Sequence, residues 1–140
     1  MIPKTIHYCW FSGDQYPDLV KRCLRSWKQV MPDYTLRIWD GNSFDFDSVP
    51  FVKEAMAAKK YAFAADYIRL YALYTEGGIY LDSDVEVFKP FDSYLNNQFF
   101  SGTEPYIINN EIYYDIECAI MGSEKGHPFL KEILDYYDTL

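Results

Sequence analysis

Two acids, Asp82 and Asp84, stand where an apolar run is interrupted: Ile79-Tyr80-Leu81 precedes them, and Val85 and Val87 follow. On an extended strand, residues two apart project to the same side, about 6.5–7 Å from each other. The pair is therefore expected to share one small volume at the end of a buried strand, where open α/β sheets bind their ligands. Two hard carboxylate oxygens suit Mg²⁺ or Mn²⁺, with phosphate oxygens and water completing the shell. The chemistry implied is metal-assisted work on a phosphorylated or nucleotide substrate. A D-x-D pair by itself is a weak signal, because most such pairs are solvated turn residues. The apolar neighbours strengthen it, since buried carboxylates are costly unless a cation or hydrogen bonds compensate them.

Asp66 and Arg69 are three residues apart on a helical stretch and share a face. One reading is an ordinary surface ion pair worth a few tenths of a kcal/mol. The other follows from position: the helix runs straight into Gly77-Gly78 and the acid pair, so its polar face would overlook the same pocket. Arg69 would then suit a phosphate oxygen and Asp66 a sugar or ribose hydroxyl. Ala62 and Ala65 keep that helix slim. Trp10, at the end of an apolar stretch, is either a core aromatic or a flat surface on which a base stacks. His7 and His127 have no nucleophile signature nearby and read as structural.

The elements that must position these residues alternate. Ile2 to Phe11 reads as a first strand, followed by the turn Ser12-Gly13-Asp14. Leu19, Val20, Cys23, Leu24, Trp27 and Val30 form one helical face from about Asp18, and Pro32 stops it. Thr35 to Trp39 is a second strand, which gives a β-α-β start and a parallel pair. Phe44 to Pro50 is a loop, Phe51 to Lys60 a helix, and Ala62 to Glu76 the strongest helix, capped by Gly77 with Gly78 turning into the next strand. A short helix is expected near Ser93 to Leu95. Further strands are expected at Gln98–Gly102 and Glu117–Gly122, with Thr103 to Asp115 an irregular excursion or hairpin. His127 to Tyr137 forms a last helix with Pro128 in its first turn.

A chain of 140 residues with 49% hydrophobic residues and 14 Tyr is one domain's worth and able to bury a core. The formal charge of −8 argues against nucleic acid or an anionic membrane surface as partner. It leaves a nucleotide substrate open, because a divalent metal changes the local sign. Cys9, Cys23 and Cys118 are widely spaced, without C-x-x-C, and fit reduced buried thiols in a cytosol. Lys4 and His7 break any signal-peptide run, and no window reaches transmembrane length. A cytoplasmic location, peripheral at the inner membrane face, is the corresponding expectation.

Three pieces in order carry a resemblance: Ile2-Pro3-Lys4-Thr5-Ile6-His7-Tyr8-Cys9-Trp10, Ala64-Ala65-Asp66-Tyr67-Ile68-Arg69, and Gly77-Gly78-Ile79-Tyr80-Leu81-Asp82-Ser83-Asp84-Val85. Together they resemble the DXD-containing sugar transferases of glycosyltransferase family 32, which include capsule and polysaccharide transferases and fungal mannosyltransferases. The core of that family is similar to that of the large glucosylating toxins. The resemblance implies a GT-A fold over residues 1–140: a Rossmann-like α/β domain with a mostly parallel sheet flanked by helices, and without the C-terminal part of the family. It implies a UDP- or GDP-sugar donor, Mn²⁺ or Mg²⁺, a saccharide or lipid-linked saccharide acceptor, and transfer with retention. By the same resemblance Trp10 stacks on the base, and Asp66 and Arg69 hold the sugar or ribose and the diphosphate. Asp82 contacts the ribose or a metal-bound water, and Asp84 ligates the metal. No carboxylate stands out as a nucleophile, so no covalent intermediate is expected. Two alternatives remain: a non-catalytic nucleotide-sugar-binding fragment, and an aspartate-dependent phosphotransferase, for which Glu86 occupies a position where a hydroxyl or Val is expected.

Overall fold

The computed structural model describes all residues, Met1–Leu140. The elements are β1 (Thr5–Cys9), α1 (Asp18–Val30), β2 (Thr35–Trp39), α2 (Pro50–Ala57), α3 (Tyr61–Glu76), β3 (Gly78–Leu81), β4 (Phe99–Ile108), β5 (Glu111–Ser123) and α4 (Pro128–Tyr137). Single helical turns at Phe46–Ser48 and Asp92–Tyr94 punctuate the loops. The strands form one sheet in the order β2-β1-β3-β5-β4.

The expectation of a mostly parallel sheet needs correction. β1 pairs in parallel with β2 and β3, whereas β5 runs antiparallel to both β3 and β4. The parallel half is built by helical crossovers. The other half is a hairpin, whose short connection permits only antiparallel pairing. The stretch Thr103 to Asp115, left open between an irregular excursion and a hairpin, is a regular hairpin. It turns at Asn109-Asn110, where both residues have positive φ (52° and 64°), as a two-residue turn of the twist-matched kind requires.

Side chains of the central strands alternate between two cores. Ile6, Tyr8, Ile79 and Leu81 meet Trp27 and Leu24 of α1 on one face. Tyr80 meets Ile68 and Leu73 of α3 and Leu130 of α4 on the other. Every residue of β3 is buried, as expected of a strand covered on both faces. α3 carries the small and apolar residues Ala64, Ile68, Ala72 and Leu73 inward, all with no exposed surface.

The Gly77-Gly78 pair joins α3 to β3. Gly77 has φ +71° and returns its N–H to Leu73 O, closing the helix. Gly78 has φ +121°, and a Cβ there would lie 2.6 Å from Thr5 O. No other residue allows β3 to leave α3 at that angle and still pair with β1. His7 locks the same junction from β1. Its Nε2–H donates to Gly77 O at 2.8 Å, and its Nδ1 accepts from Trp39 Nε1–H at 3.0 Å. His7 is thus structural, as expected. Burial lowers its pKa and keeps it neutral.

Two smaller expectations also change. Cys23 is buried and Cys9 partly so, but Cys118 is exposed, because β5 leaves the core as it enters the hairpin. Asp82 and Asp84 do not lie on an extended strand. β3 ends at Leu81, and Val85 N–H closes a turn on Asp82 O at 3.0 Å.

Candidate active site

β1, β2 and β3 run in the same direction, so their C-terminal ends lie on one edge of the sheet. The chain leaves β1 over one face through α1 and reaches β3 over the other through α3. The ends of β1 and β3 therefore flank a topological switch point, the ordinary ligand position of such sheets. A cleft of about 420 Å³ lies there, and its walls include Trp10, Ala65, Arg69, Tyr80, Asp82 and Asp84. The DXD turn, Arg69 of the helix and the β1 aromatic are brought together. Asp66 sits at the far side of Arg69, on a neighbouring cavity of about 290 Å³.

Arg69 is buried at 7% exposure and links these parts. Its Nε–H donates to Ala65 O at 3.2 Å, one terminal nitrogen to Cys118 O at 2.6 Å, and the other to Asp66 Oδ1 at 3.1 Å. The same terminal nitrogen is 3.6 Å from Asp82 Oδ1. The surface-ion-pair reading of Asp66 and Arg69 therefore fails for the arginine, since tertiary packing encloses it. The guanidinium also lies over the Tyr80 ring, 4.8 Å from its centroid. Burial alone would weaken its charge, but Tyr80, Asp82 and Asp66 outweigh that and hold it protonated. Burial raises the Asp66 carboxyl pKa; Arg69 opposes this and Asp82 adds to it.

Tyr80 is a cleft residue that the sequence did not single out. Its O–H donates to Asp82 Oδ1 at 2.7 Å. Burial drives its pKa well above the usual phenol value, so it remains a donor. The signal was present: Tyr80 and Asp82 are two apart, the same spacing that drew attention to Asp82 and Asp84. One carboxylate oxygen of Asp82 is thus fixed by Tyr80 and Arg69. Asp84 is exposed and enters none of the ion pairs of the chain. Asp82 and Asp84 against Arg69 leave a formal charge of about −1 at the cleft, with Asp66 adding a further acid on the neighbouring cavity. Hard oxygen donors with that surplus fit a divalent cation held by Asp84 and Asp82. Cys9 also lines the cleft, but burial pushes its thiol up to about 12, which removes it as a thiolate ligand or nucleophile at neutral pH.

Trp10 forms a partition between the cleft and a second cavity of about 640 Å³ between the Gly13–Tyr16 loop and the Asp40–Asn42 turn after β2. It is partly buried rather than a core residue. Tyr16 meets it edge-on at 5.1 Å, and its Nε1–H donates to Asp14 O at 2.8 Å. Held in this way, the indole keeps a fixed orientation. The turn after β3 is fixed by α1: Trp27 Nε1–H donates to Val85 O at 2.7 Å, and Val87 N–H donates to Ser26 Oγ at 2.9 Å. Neither Ser26 nor Trp27 was marked as functional by its sequence setting.

Residues 1–139 match the family described as capsular polysaccharide synthesis protein. The chain belongs to that family. The membership agrees with the glycosyltransferase family 32 resemblance of its motifs. The chain is also similar to inositol phosphoceramide mannosyltransferase 3 of Schizosaccharomyces pombe, 30% identical over 147 residues, a match covering 95% of this chain and 36% of that protein. Mannosyl phosphorylinositol ceramide synthase SUR1 of Saccharomyces cerevisiae is 30% identical over 146 residues, covering 99% of this chain and 36% of that protein. Among solved structures, the PaToxG glycosyltransferase superposes with a TM-score of 0.70 at 20% identity, over 99% of this chain and 61% of that one. The chain thus has the α/β fold of a glycosyltransferase of GT-A type. It spans 36% of the length of each of these two relatives.

Proposed function

We propose that this chain forms the donor-binding core of a metal-dependent glycosyltransferase. It would move a sugar from a UDP- or GDP-sugar to a saccharide or lipid-linked saccharide in surface polysaccharide or oligosaccharide synthesis. The observation that carries this reading is the convergence of Trp10, Arg69, Asp82 and Asp84 on one cleft at the switch point of a glycosyltransferase fold.

Trp10 offers its oriented indole to the base. Arg69 gives three of its five N–H groups to the protein and has one left on each terminal nitrogen for a diphosphate oxygen. Asp66, half-exposed beside it, accepts from a hydroxyl of the sugar. Tyr80 and Arg69 hold Asp82 in one orientation. Asp84 and Asp82 would hold Mn²⁺ or Mg²⁺, which when bound would supply positive charge against a departing diphosphate. Retention of anomeric configuration follows from the family resemblance. A cytoplasmic site of action, peripheral at the inner membrane face, belongs to the same proposal; no helix is long and apolar enough to cross a membrane.

The test is release of UDP or GDP from UDP-glucose and GDP-mannose, with Mn²⁺ or with EDTA. The expected result is Mn²⁺-dependent release from one donor, reduced at least about 100-fold in Asp84→Asn, in the range of losing a principal electrostatic contact. Donor binding without release would favour a non-catalytic binding module. Neither binding nor release with either donor would contradict the reading.

A further inference from the structure

The formal charge of −8 is spread unevenly along the chain. Residues 91–124 contain six acids and no Lys or Arg. Residues 45–60 balance Asp45, Asp47 and Glu54 against Lys53, Lys59 and Lys60. On α1 the sign reverses: Lys21, Arg22, Arg25 and Lys28 stand against Asp18 alone, and all four cations are exposed. The spacing of Lys21, Arg25 and Lys28 puts them on one stripe of the helix, roughly 10 Å long at 1.5 Å per residue. Arg22 pairs with Glu86 at 3.5 Å, whereas the three stripe residues enter no ion pair.

Two observations say what meets this stripe. The first is its chemistry. Three unpaired cations cannot be covered by an apolar surface without a large desolvation cost. The apolar face of α1, with Val20, Leu24 and Trp27, already packs on the sheet. Charges more than about 10 Å away are largely screened at 0.1 M salt, so the local sign decides what binds, and it selects an anion. The second is position. α1 returns from the C-terminal edge of the parallel strands, so it begins at the cleft and runs away from it. Pro17 and Val20 line the cleft itself, and Lys21 lines the cavity of about 640 Å³ beyond Trp10. Beside the helix, the segment bonded to Ser26 continues into Phe88, 79% exposed, and Lys89, which add an open ring and a further cation. A line of cations that starts at a sugar-transfer cleft matches a linear anionic glycan with one end in that cleft.

We propose that Lys21, Arg25 and Lys28, with Lys89 beside them, hold the trailing part of an acidic glycan whose end is presented to the cleft. The acceptor is then a carboxylate-bearing saccharide rather than a neutral one. This rests on the donor-site reading above and adds the charge class of the acceptor and the residues that select it.

The test is calorimetric titration with a hyaluronan hexasaccharide, which carries a carboxylate on every second sugar, and with neutral maltohexaose. Hyaluronan is expected to bind and maltohexaose not to, and the affinity should fall as salt is raised. The double variant Arg25→Gln/Lys28→Gln should weaken hyaluronan about tenfold or more, because two charged hydrogen bonds are at stake. Lys53→Gln/Lys60→Gln removes the same charge from the α2–α3 region, on the other face of the sheet, and should leave binding unchanged. Equal affinity for the acidic and neutral glycans, or equal weakening by the Lys53/Lys60 pair, would overturn the proposal. So would tighter binding of a single-stranded DNA hexamer, or of phosphatidylserine vesicles, through Arg25 and Lys28. Nucleotide binding with Mn²⁺ is measured on the same samples. If it is retained while the stripe does not distinguish the glycans, this inference alone fails; if it is absent, the donor-site reading fails and the acceptor assignment with it.

Discussion

Arg69 is the residue on which the cleft depends most. A lysine there keeps the charge but cannot reach Ala65 O, Cys118 O and Asp66 at once, because an ammonium lacks the planar fork. Arg69→Lys is therefore expected to weaken Mn²⁺-dependent nucleotide binding at least about tenfold, with an added loss of stability from unpaired buried acceptors of about 1–3 kcal/mol each. Unchanged affinity in calorimetric titration would remove it from the site. Tyr80→Phe deletes only the bond to Asp82 Oδ1, so metal-dependent affinity should fall severalfold while the fold persists. His7 gives a pH prediction. Its folded pKa lies below the unfolded value near 6.5, so the unfolded chain binds the proton first as pH falls. Stability from this group is complete above about pH 6.5 and is lost progressively below it. An NMR titration should place His7 below 6.5, and a value at or above 6.5 would contradict its neutral, doubly bonded state. That Asp82, Asp84 and Arg69 line one cleft was legible from type and spacing, and Trp10 beside them from the family resemblance, whereas Asp66 lines the neighbouring cavity. The burial of Arg69 was not, because the acceptor that encloses it, Cys118 O, lies 49 residues away in the sequence.

The elements place these residues through two junctions. At Gly78, a side chain must accept both φ +121° and a backbone oxygen 2.6 Å from its Cβ. Gly78→Ala is expected to lose more than the roughly 1–3 kcal/mol of backbone strain alone, by urea denaturation. A loss below 1 kcal/mol would mean that the junction relaxes easily. The second junction is the clamp of α1 on the segment that follows the DXD turn. Ser26→Ala leaves Val87 N–H without its buried acceptor and should cost about 1–3 kcal/mol. The same variant should loosen metal-dependent binding through Asp84, while nucleotide stacking on Trp10 is spared. The β-α-β start, α3 and its glycine cap were legible because their apolar periodicities are strong. The hairpin was not resolved between two readings, because its apolar and acidic faces mix along the sequence. Only pairing across Asn109-Asn110 sorts them. The turn at Asp82–Val85 was read as strand because apolar residues flank it on both sides.

Across the whole molecule, an acidic chain of formal charge −8 would repel a nucleotide diphosphate unless a cation stood between them. The geometry concentrates that requirement at one point, where Asp84 and Asp82 face the cleft shared with Arg69 and Trp10. Nucleotide and metal are therefore expected to bind together and each only weakly alone. The most direct measurement is the thermal midpoint of wild type and Asp84→Asn with Mn²⁺, UDP and GDP, singly and in pairs. A ligand at 100 times its Kd adds about 2.7 kcal/mol, several degrees for a chain of this size. The account predicts that shift for Mn²⁺ with one of the two nucleotides, little for either partner alone, and none in Asp84→Asn. An equal shift by nucleotide without metal, or an undiminished shift in Asp84→Asn, would contradict it.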